Sequence, residues 1–100
     1  MKTIINGKMY NTDTAKLIET TSHLYPSDFG WFRESLYQKK TGEFFIDGEG
    51  GASSQYAEAG ATGGWIGGRK VLPLTEREAQ HWVEKLGDTD LYEELWEVSE

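Results

Sequence analysis

The sequence lacks cysteine altogether and has only two prolines, two histidines and no apolar run as long as a membrane span. Without cysteine, disulfide bridges, thiolate zinc sites and thiol nucleophiles are excluded, and a reducing compartment is compatible with the chain. Residues 1–10 read MKTIINGKMY and contain no apolar stretch typical of a signal peptide. We therefore expect a cytoplasmic protein that forms a single domain over residues 1–100.

An excess of positive charge is also missing, since the formal net charge is −7. Residues 1–70 hold eight acids and eight bases, whereas residues 71–100 hold nine acids against Arg77 and Lys85 alone. The whole imbalance therefore lies in the C-terminal part. A negative field disfavours direct binding of nucleic acid and favours a basic partner, which includes nucleic-acid-binding proteins. The alternative is a solvated acidic face that serves only solubility.

Local signals predict an antiparallel arrangement of strands in the first three quarters of the chain. Asn6-Gly7 indicates a β-hairpin, because both residues tolerate the positive φ of a type I′ turn. Further strands are expected within 14–25, 31–39, 43–47 and 65–72, with turns at 25–30 and 39–42. Between Gly48 and Gly68 lie eight glycines, which indicate tight turns or a group that approaches the backbone closely.

The last quarter of the chain predicts two helices. Thr75 and Glu78 form a capping box, and Gly87 is placed to end the first helix. The buried stripe expected on this helix consists of Ala79, Trp82, Val83 and Leu86. A second helix is expected from Asp88, with Leu91, Leu95 and Val98 on one side. The order predicts an α+β fold: an antiparallel β-sheet of about four to five strands followed by two C-terminal α-helices packed on one face.

No residue pattern indicates catalysis, a cofactor or a metal ion. Asp47 and Glu49 stand in a glycine turn, but two carboxylates are too few for a calcium loop. Gly63 and Gly68 have the glycine spacing of a phosphate-binding loop, yet Arg69 stands where that loop requires lysine. His81 lies three residues from Glu78 and from Glu84, a spacing that is far more common in surface contacts than in acid–base sites. We expect neither an enzyme nor a bound cofactor or metal.

Aromatic residues favour a binding protein. Trp82 is expected in the core, but Trp31, Trp65 and Trp96 are too many for one small core to hide entirely, and interfaces are enriched in Trp and Tyr. We expect the glycine-rich loop between Gly48 and Gly68 to form a contact surface whose main contacts are Glu49, Gln55, Tyr56 and Trp65. The alternative is that Tyr56 and Trp65 fold back and merely cover the sheet.

Three segments of the chain resemble one family: Ile5 to Ala15 (INGKMYNTDTA), Leu36 to Gly51 (LYQKKTGEFFIDGEGG) and Gly67 to Lys85 (GGRKVLPLTEREAQHWVEK). It is a family of small acidic proteins encoded by phages and other mobile elements of bacteria. The resemblance implies an inhibitor of host defence in the bacterial cytoplasm, of the anti-CRISPR type.

Together, charge and resemblance predict a non-enzymatic inhibitor that acts as a nucleic-acid mimic on a basic groove of a CRISPR effector, without contacting nucleic acid or membrane. The expected acidic contacts are Glu84, Asp88, Asp90, Glu93, Glu94 and Glu97. The alternative function is a small-ligand module of a mobile element, in which the glycine loop closes over an anionic metabolite near Arg69 and Lys70.

Overall fold

The computed structural model describes residues 1–99, which form eight strands and two helices. The strands are β1 (Lys2–Ile5), β2 (Lys8–Asn11), β3 (Lys16–His23), β4 (Phe32–Gln38), β5 (Phe44–Gly50), β6 (Glu58–Ala59), β7 (Trp65–Ile66) and β8 (Gly68–Leu74). The helices are α1 (Glu76–Leu86) and α2 (Thr89–Leu95). No helix among residues 1–99 has the length and apolar character needed to cross a membrane.

Four strands form the main sheet in the order β3-β4-β5-β8, with every neighbouring pair antiparallel. Strand β3 carries an irregularity in register between Leu17 and Glu19. Pro73 lies in the edge strand β8, where the missing N–H leaves no interior ladder incomplete. The two remaining strand pairs are separate ribbons, β1–β2 and β6–β7. The α+β fold predicted from the order of elements is therefore confirmed.

The predicted hairpin and turns of the N-terminal half are confirmed. Asn6 and Gly7 have φ of 51° and 78°, as a turn with two left-handed residues requires. The Asp28 amide donates to the Tyr25 carbonyl at 2.8 Å and the Gly42 amide donates to the Lys39 carbonyl at 2.9 Å, which closes the turns predicted at 25–30 and 39–42.

Strand β5 is longer than the sequence indicated. The prediction that it ends at Asp47 and passes into a glycine turn is wrong, because Gly48 and Gly50 pair with both neighbouring strands. A β-carbon at Gly48 would overlap the ring of Tyr56, which covers the strand at this point. Close packing within the strand thus explains Gly48. The Tyr56 ring occupies the space that a side chain would fill and covers the strand there.

Alternation along the strands divides the side chains of the sheet between two faces. On one face Leu36, Phe44 and Ile46 pack with Ala79 and Val83 of α1, and all five are buried. Partly buried residues surround this core: Ile18, Leu74, Trp82, Leu91, Tyr92, Leu95 and Trp96.

The other face of the sheet is covered at one end by the β1–β2 hairpin. Tyr10 lies edge-on to Phe45, with 5.4 Å between ring centroids, and Tyr37 stacks on Phe45 at 5.3 Å. Tyr10 and Phe45 are both buried. The molecule therefore has three layers at this end: hairpin, sheet and helices.

Both helices begin and end on local signals. Thr75 Oγ1 accepts a hydrogen bond from the Glu78 amide and the Glu78 carboxylate accepts one from the Thr75 amide, so the predicted capping box is confirmed. Gly87 ends α1 with φ of 73°. Helix α2 stops at Leu95, because Trp96 turns to extended backbone and packs on Phe44. The expectation that Val98 continues the buried side of α2 is wrong, since Val98 follows the helix and is exposed.

Candidate interaction surfaces

The acidic residues predicted as contacts lie together on the helical layer. Six of them define what we call the acidic surface: Glu84, Asp88, Asp90, Glu93, Glu94 and Glu97. All six are exposed. In α2, Leu91 and Leu95 pack toward the sheet, which leaves Asp90, Glu93 and Glu94 toward solvent. Lys85 is the one base among them in sequence, and His81 Nδ1 lies 4.0 Å from Glu84 Oε2. Within the described residues the surface therefore presents a strong negative field.

Asp88 also has a structural role. Its Oδ1 accepts a hydrogen bond from the Leu91 amide at 3.0 Å, so it caps α2. Because a carboxylate at a helix N-terminus faces the positive end of the helix dipole, part of its charge is used locally. The other five acids leave more of their charge to act outward. Glu93, Glu94 and Glu97 are therefore the residues best suited to test the surface.

Tyr56 does not belong to any exposed surface. Its side chain is 1% exposed and its ring covers Gly48, so it folds back over the sheet, which corrects the expectation that it contacts a partner. Its hydroxyl donates to the Glu34 carboxylate. Burial raises the pKa of the Tyr56 hydroxyl above its ordinary value, and the hydrogen bond to Glu34 raises it further. The hydroxyl therefore stays protonated over the whole neutral range.

The Glu34 carboxylate joins three parts of the chain. Besides the Tyr56 hydroxyl, it accepts a hydrogen bond from Gln55 Nε2 at 2.7 Å and one from Trp82 Nε1 at 3.1 Å. Gln55 was expected to contact a partner; in the structure its amide is used within the chain, although the residue remains exposed. Strand β4, the glycine-rich loop and α1 thus meet at one carboxylate.

Trp65, unlike Tyr56, lies at the surface. It lies in the short ribbon β6–β7, opposite Ala59, and is 67% exposed. The turn of this ribbon uses glycines in left-handed conformation, Gly63 and Gly64, with φ of 95° and 73°. The tryptophan expected to be available for a partner is therefore presented on a short ribbon at the surface.

Other exposed apolar side chains lie at the same end of the sheet as Trp65. We call this group the aromatic end; it comprises Leu24, Tyr25, Phe29, Trp65 and Ile66. The loop between β3 and β4 supplies the first three and the β6–β7 ribbon the other two.

Backbone hydrogen bonds tie the β3–β4 loop to the segment that follows β5. The Ser53 amide donates to the Phe29 carbonyl at 2.8 Å, and the Gly51 amide donates to the Trp31 carbonyl at 2.7 Å. Tyr25 and Phe29 were missed as contact residues, because Pro26 and Asp28 beside them indicate only a turn. The available signal was the presence of large apolar residues in that turn.

Glu49 and Arg69 are engaged in ion pairs on the open face of the sheet. Glu49 pairs with Arg33 opposite it, and Arg69 Nε lies 2.8 Å from Asp47 Oδ1 while its Nη2 bonds the other oxygen. The hydrogen bond to Asp47 raises the pKa of Arg69. These ion pairs reduce the negative charge that Glu49 presents to a partner and the positive charge that Arg69 presents to an anionic metabolite.

Other sites considered from the sequence gain no support from the geometry. Residues 1–99 contain no group of three or more histidines, aspartates and glutamates placed to hold a metal ion. His81 and Glu84 are both exposed, in an open surface depression lined by polar residues, where water has free access. The chain matches no protein-family model, no curated protein and no solved structure.

Proposed function

We propose that this protein is a non-enzymatic inhibitor that binds the basic, nucleic-acid-binding groove of a CRISPR effector through its acidic surface. The observation that carries the proposal is the exposure of all six predicted acids on one helical layer. A groove that binds nucleic acid attracts phosphates by its positive charge. The same positive charge attracts a surface with many carboxylates. Inhibition then follows from competition with DNA or RNA. The assignment to host defence comes from the resemblance of three segments to small acidic phage proteins.

The aromatic end supplies a second contact in this proposal. Exposed carboxylates give steering and selectivity but little net affinity, since exposed ion pairs contribute about 0–1 kcal/mol each. Large aromatic side chains that fill partner pockets carry most of the binding energy in many interfaces. Trp65, Tyr25 and Phe29 are each more than half exposed and are the strongest candidates for such anchors.

The acidic contact is tested by reversing three charges together, Glu93→Lys, Glu94→Lys and Glu97→Lys. Purified CRISPR effectors of several types serve as partners, and inhibition of their DNA or RNA binding is the readout. We expect the variant to associate at least about tenfold more slowly at low salt, and its association rate to lose most of its dependence on salt. Unchanged binding and inhibition would remove this mechanism.

A second triple variant controls for the change in net charge. Asp13, Glu19 and Glu58 lie outside the acidic surface, and replacing all three by lysine gives the same net charge as the test variant. If inhibition depends on the position of the acids, this control keeps the wild-type rate within a few fold. Equal losses in both variants would mean that only the net charge matters, and a docked acidic surface would be rejected.

A further inference from the structure

The β1–β2 hairpin side of the molecule carries half of all the lysines and arginines. We define the basic surface as Lys2, Lys8, Lys16, Lys39 and Lys40. Register brings them together: Lys2 lies opposite Asn11, and Lys16 lies opposite Gln38, next to Lys39. Lys8, Asn11, Lys39 and Lys40 line one depression of about 370 Å³.

Two acids lie beside the basic surface, Asp13 and Glu43, and Asp13 pairs with the N-terminal amine at 3.4 Å. Glu43 lies 3.0 Å from Lys8 Nζ and 3.8 Å from Lys39 Nζ, and the hydrogen bond with Lys8 lowers the pKa of the Glu43 carboxyl. Lys39 also lies over the ring of Tyr10, at 3.9 Å from its centroid. Lys2, Lys16 and Lys40 form no ion pair among the described residues. They leave a positive surface on a protein whose net charge is −7.

Two exposed apolar residues lie among these lysines. Ile4 and Met9 are directly opposite each other in the hairpin, and they are 67% and 47% exposed. They point away from the sheet, since Thr3 and Tyr10 occupy the alternate positions and Tyr10 is buried. A phosphate backbone would leave this apolar pair in water. A protein surface that is both acidic and partly apolar would cover it.

The chain itself presents a surface of that kind. On the helical layer, Glu93, Glu94 and Glu97 are exposed beside Val98, which is 55% exposed. The hairpin and the helices lie on opposite faces of the sheet. One copy therefore cannot bring its own two surfaces together, but two copies can.

We propose that the basic surface binds the acidic surface of a second copy of this chain, head to tail. Because the two surfaces differ, the contact is heterologous and leaves one basic and one acidic surface free at the ends of each assembly. Attraction between exposed charges makes the association strongest at low salt. It also hides the acidic surface, so self-association competes with any partner that binds there. The proposal goes beyond the proposed function and stands on its own observations.

The experiment measures assembly size by sedimentation velocity as a function of protein concentration, at low salt and at 1 M salt, where the Debye length is about 3 Å. We expect the wild-type weight-average mass to rise with concentration at low salt and to remain that of a monomer at high salt. A wild-type protein that is monomeric at low salt up to millimolar concentration would overturn the proposal.

Two charge-reversed variants locate the contact. One carries Lys2→Glu, Lys16→Glu and Lys40→Glu, and the other carries Glu93→Lys, Glu94→Lys and Glu97→Lys. Each alone should be monomeric, and an equimolar mixture should associate again, because each variant then supplies the charge that the other has lost. Circular dichroism confirms that both are folded. Assembly of the lysine-reversed variant to the wild-type extent, or a monomeric mixture, would contradict the head-to-tail contact.

Nucleic acid is the competing occupant of the basic surface. A fluorescein-labelled DNA duplex, titrated with wild-type protein at low salt, distinguishes the two by fluorescence anisotropy. Under the proposal the wild type binds the duplex no better than the lysine-reversed variant does. Binding by wild type that the lysine reversal abolishes, together with a monomeric wild type, would assign the surface to nucleic acid instead. If the protein self-associates but binds no CRISPR effector, this inference stands and only the proposed function is rejected.

Discussion

The aromatic side chain of Tyr56 connects the glycine-rich loop to the sheet both by packing and by a hydrogen bond. Tyr56 places its ring on Gly48 and its hydroxyl on Glu34, so the packing and the hydrogen bond both depend on one residue. A buried hydroxyl left without a partner costs about 1–3 kcal/mol, and the carboxylate of Glu34 prevents that cost here. The position of the loop therefore depends on a residue that offers no surface to a partner.

The raised pKa of Tyr56 makes stability sensitive to alkali. In the unfolded chain the hydroxyl loses its proton near pH 10, whereas in the folded protein it keeps the proton to higher pH. This contribution is fully present below pH 10 and decreases by about 1.4 kcal/mol per pH unit above it. Urea midpoints measured from pH 8 to about pH 11.5 should fall more steeply for the wild type than for Tyr56→Phe. Identical slopes would show that the hydroxyl is not held as described.

Trp65 is expected to contribute little to stability. Because its side chain is 67% exposed, Trp65→Ala should change the free energy of unfolding by less than about 1 kcal/mol. Phe45→Ala, at a fully buried position, should cost about 3–5 kcal/mol and provides the comparison. Thermal and urea unfolding measure both changes.

The same variant tests the aromatic end. Under the proposed function Trp65→Ala keeps its melting temperature and loses affinity for the effector. A sharp drop in melting temperature would mean that Trp65 belongs to the core, and the contact would then be rejected.

At the scale of elements, α1 depends on its first turn. Thr75→Ala removes the acceptor for the Glu78 amide and should cost about 1 kcal/mol. For a domain of this size that corresponds to a fall in melting temperature of about 4–8 °C. Thr75→Ser keeps the hydroxyl and should unfold close to wild type, as differential scanning calorimetry can measure. Equal losses in both variants would indicate that the methyl group matters rather than the cap.

Elements with local signals were predictable from the sequence. Asn6-Gly7, the Thr75–Glu78 capping box and Gly87 each determine a conformation within four residues, and each prediction is confirmed. The extension of β5 was not predictable in this way. Gly48 reads as a turn residue until Tyr56 is known to pack on it, and that contact is a tertiary one.

The acidic surface and the aromatic end also differ in how far the sequence alone could predict them. The acidic surface is contiguous in sequence, so a count of charges along residues 71–100 was enough to find its members. The aromatic end brings together Tyr25 and Trp65, which are far apart in the sequence and lie in different loops. No periodicity links Tyr25 to Trp65, and only the sheet topology brings their loops to one end. Whether Tyr56 is buried over the sheet or contacts a partner could likewise be decided only from the fold, because the sequence left both alternatives open.

Across the whole molecule, charge is separated by the sheet. Lysines gather on the hairpin side and carboxylates on the helical side, while paired charges such as Arg33–Glu49 occupy the part of the hairpin-side face that the hairpin leaves open. The separation gives the molecule an electric dipole as well as a net charge, and the field of a charged partner would orient that dipole on approach.

The sheet is covered on both faces at the Phe44 end, and this restricts how the length of the chain can vary. Successive residues of β5 face opposite layers, so Phe44 and Ile46 meet the helices while Phe45 meets the hairpin. One inserted or deleted residue in β5 would exchange the two sets and disrupt both layers together. The turn between β6 and β7 packs against neither layer, and there the chain can gain or lose residues freely. Homologous sequences should therefore differ in length at the turn between β6 and β7 and keep the number of residues in β5 unchanged.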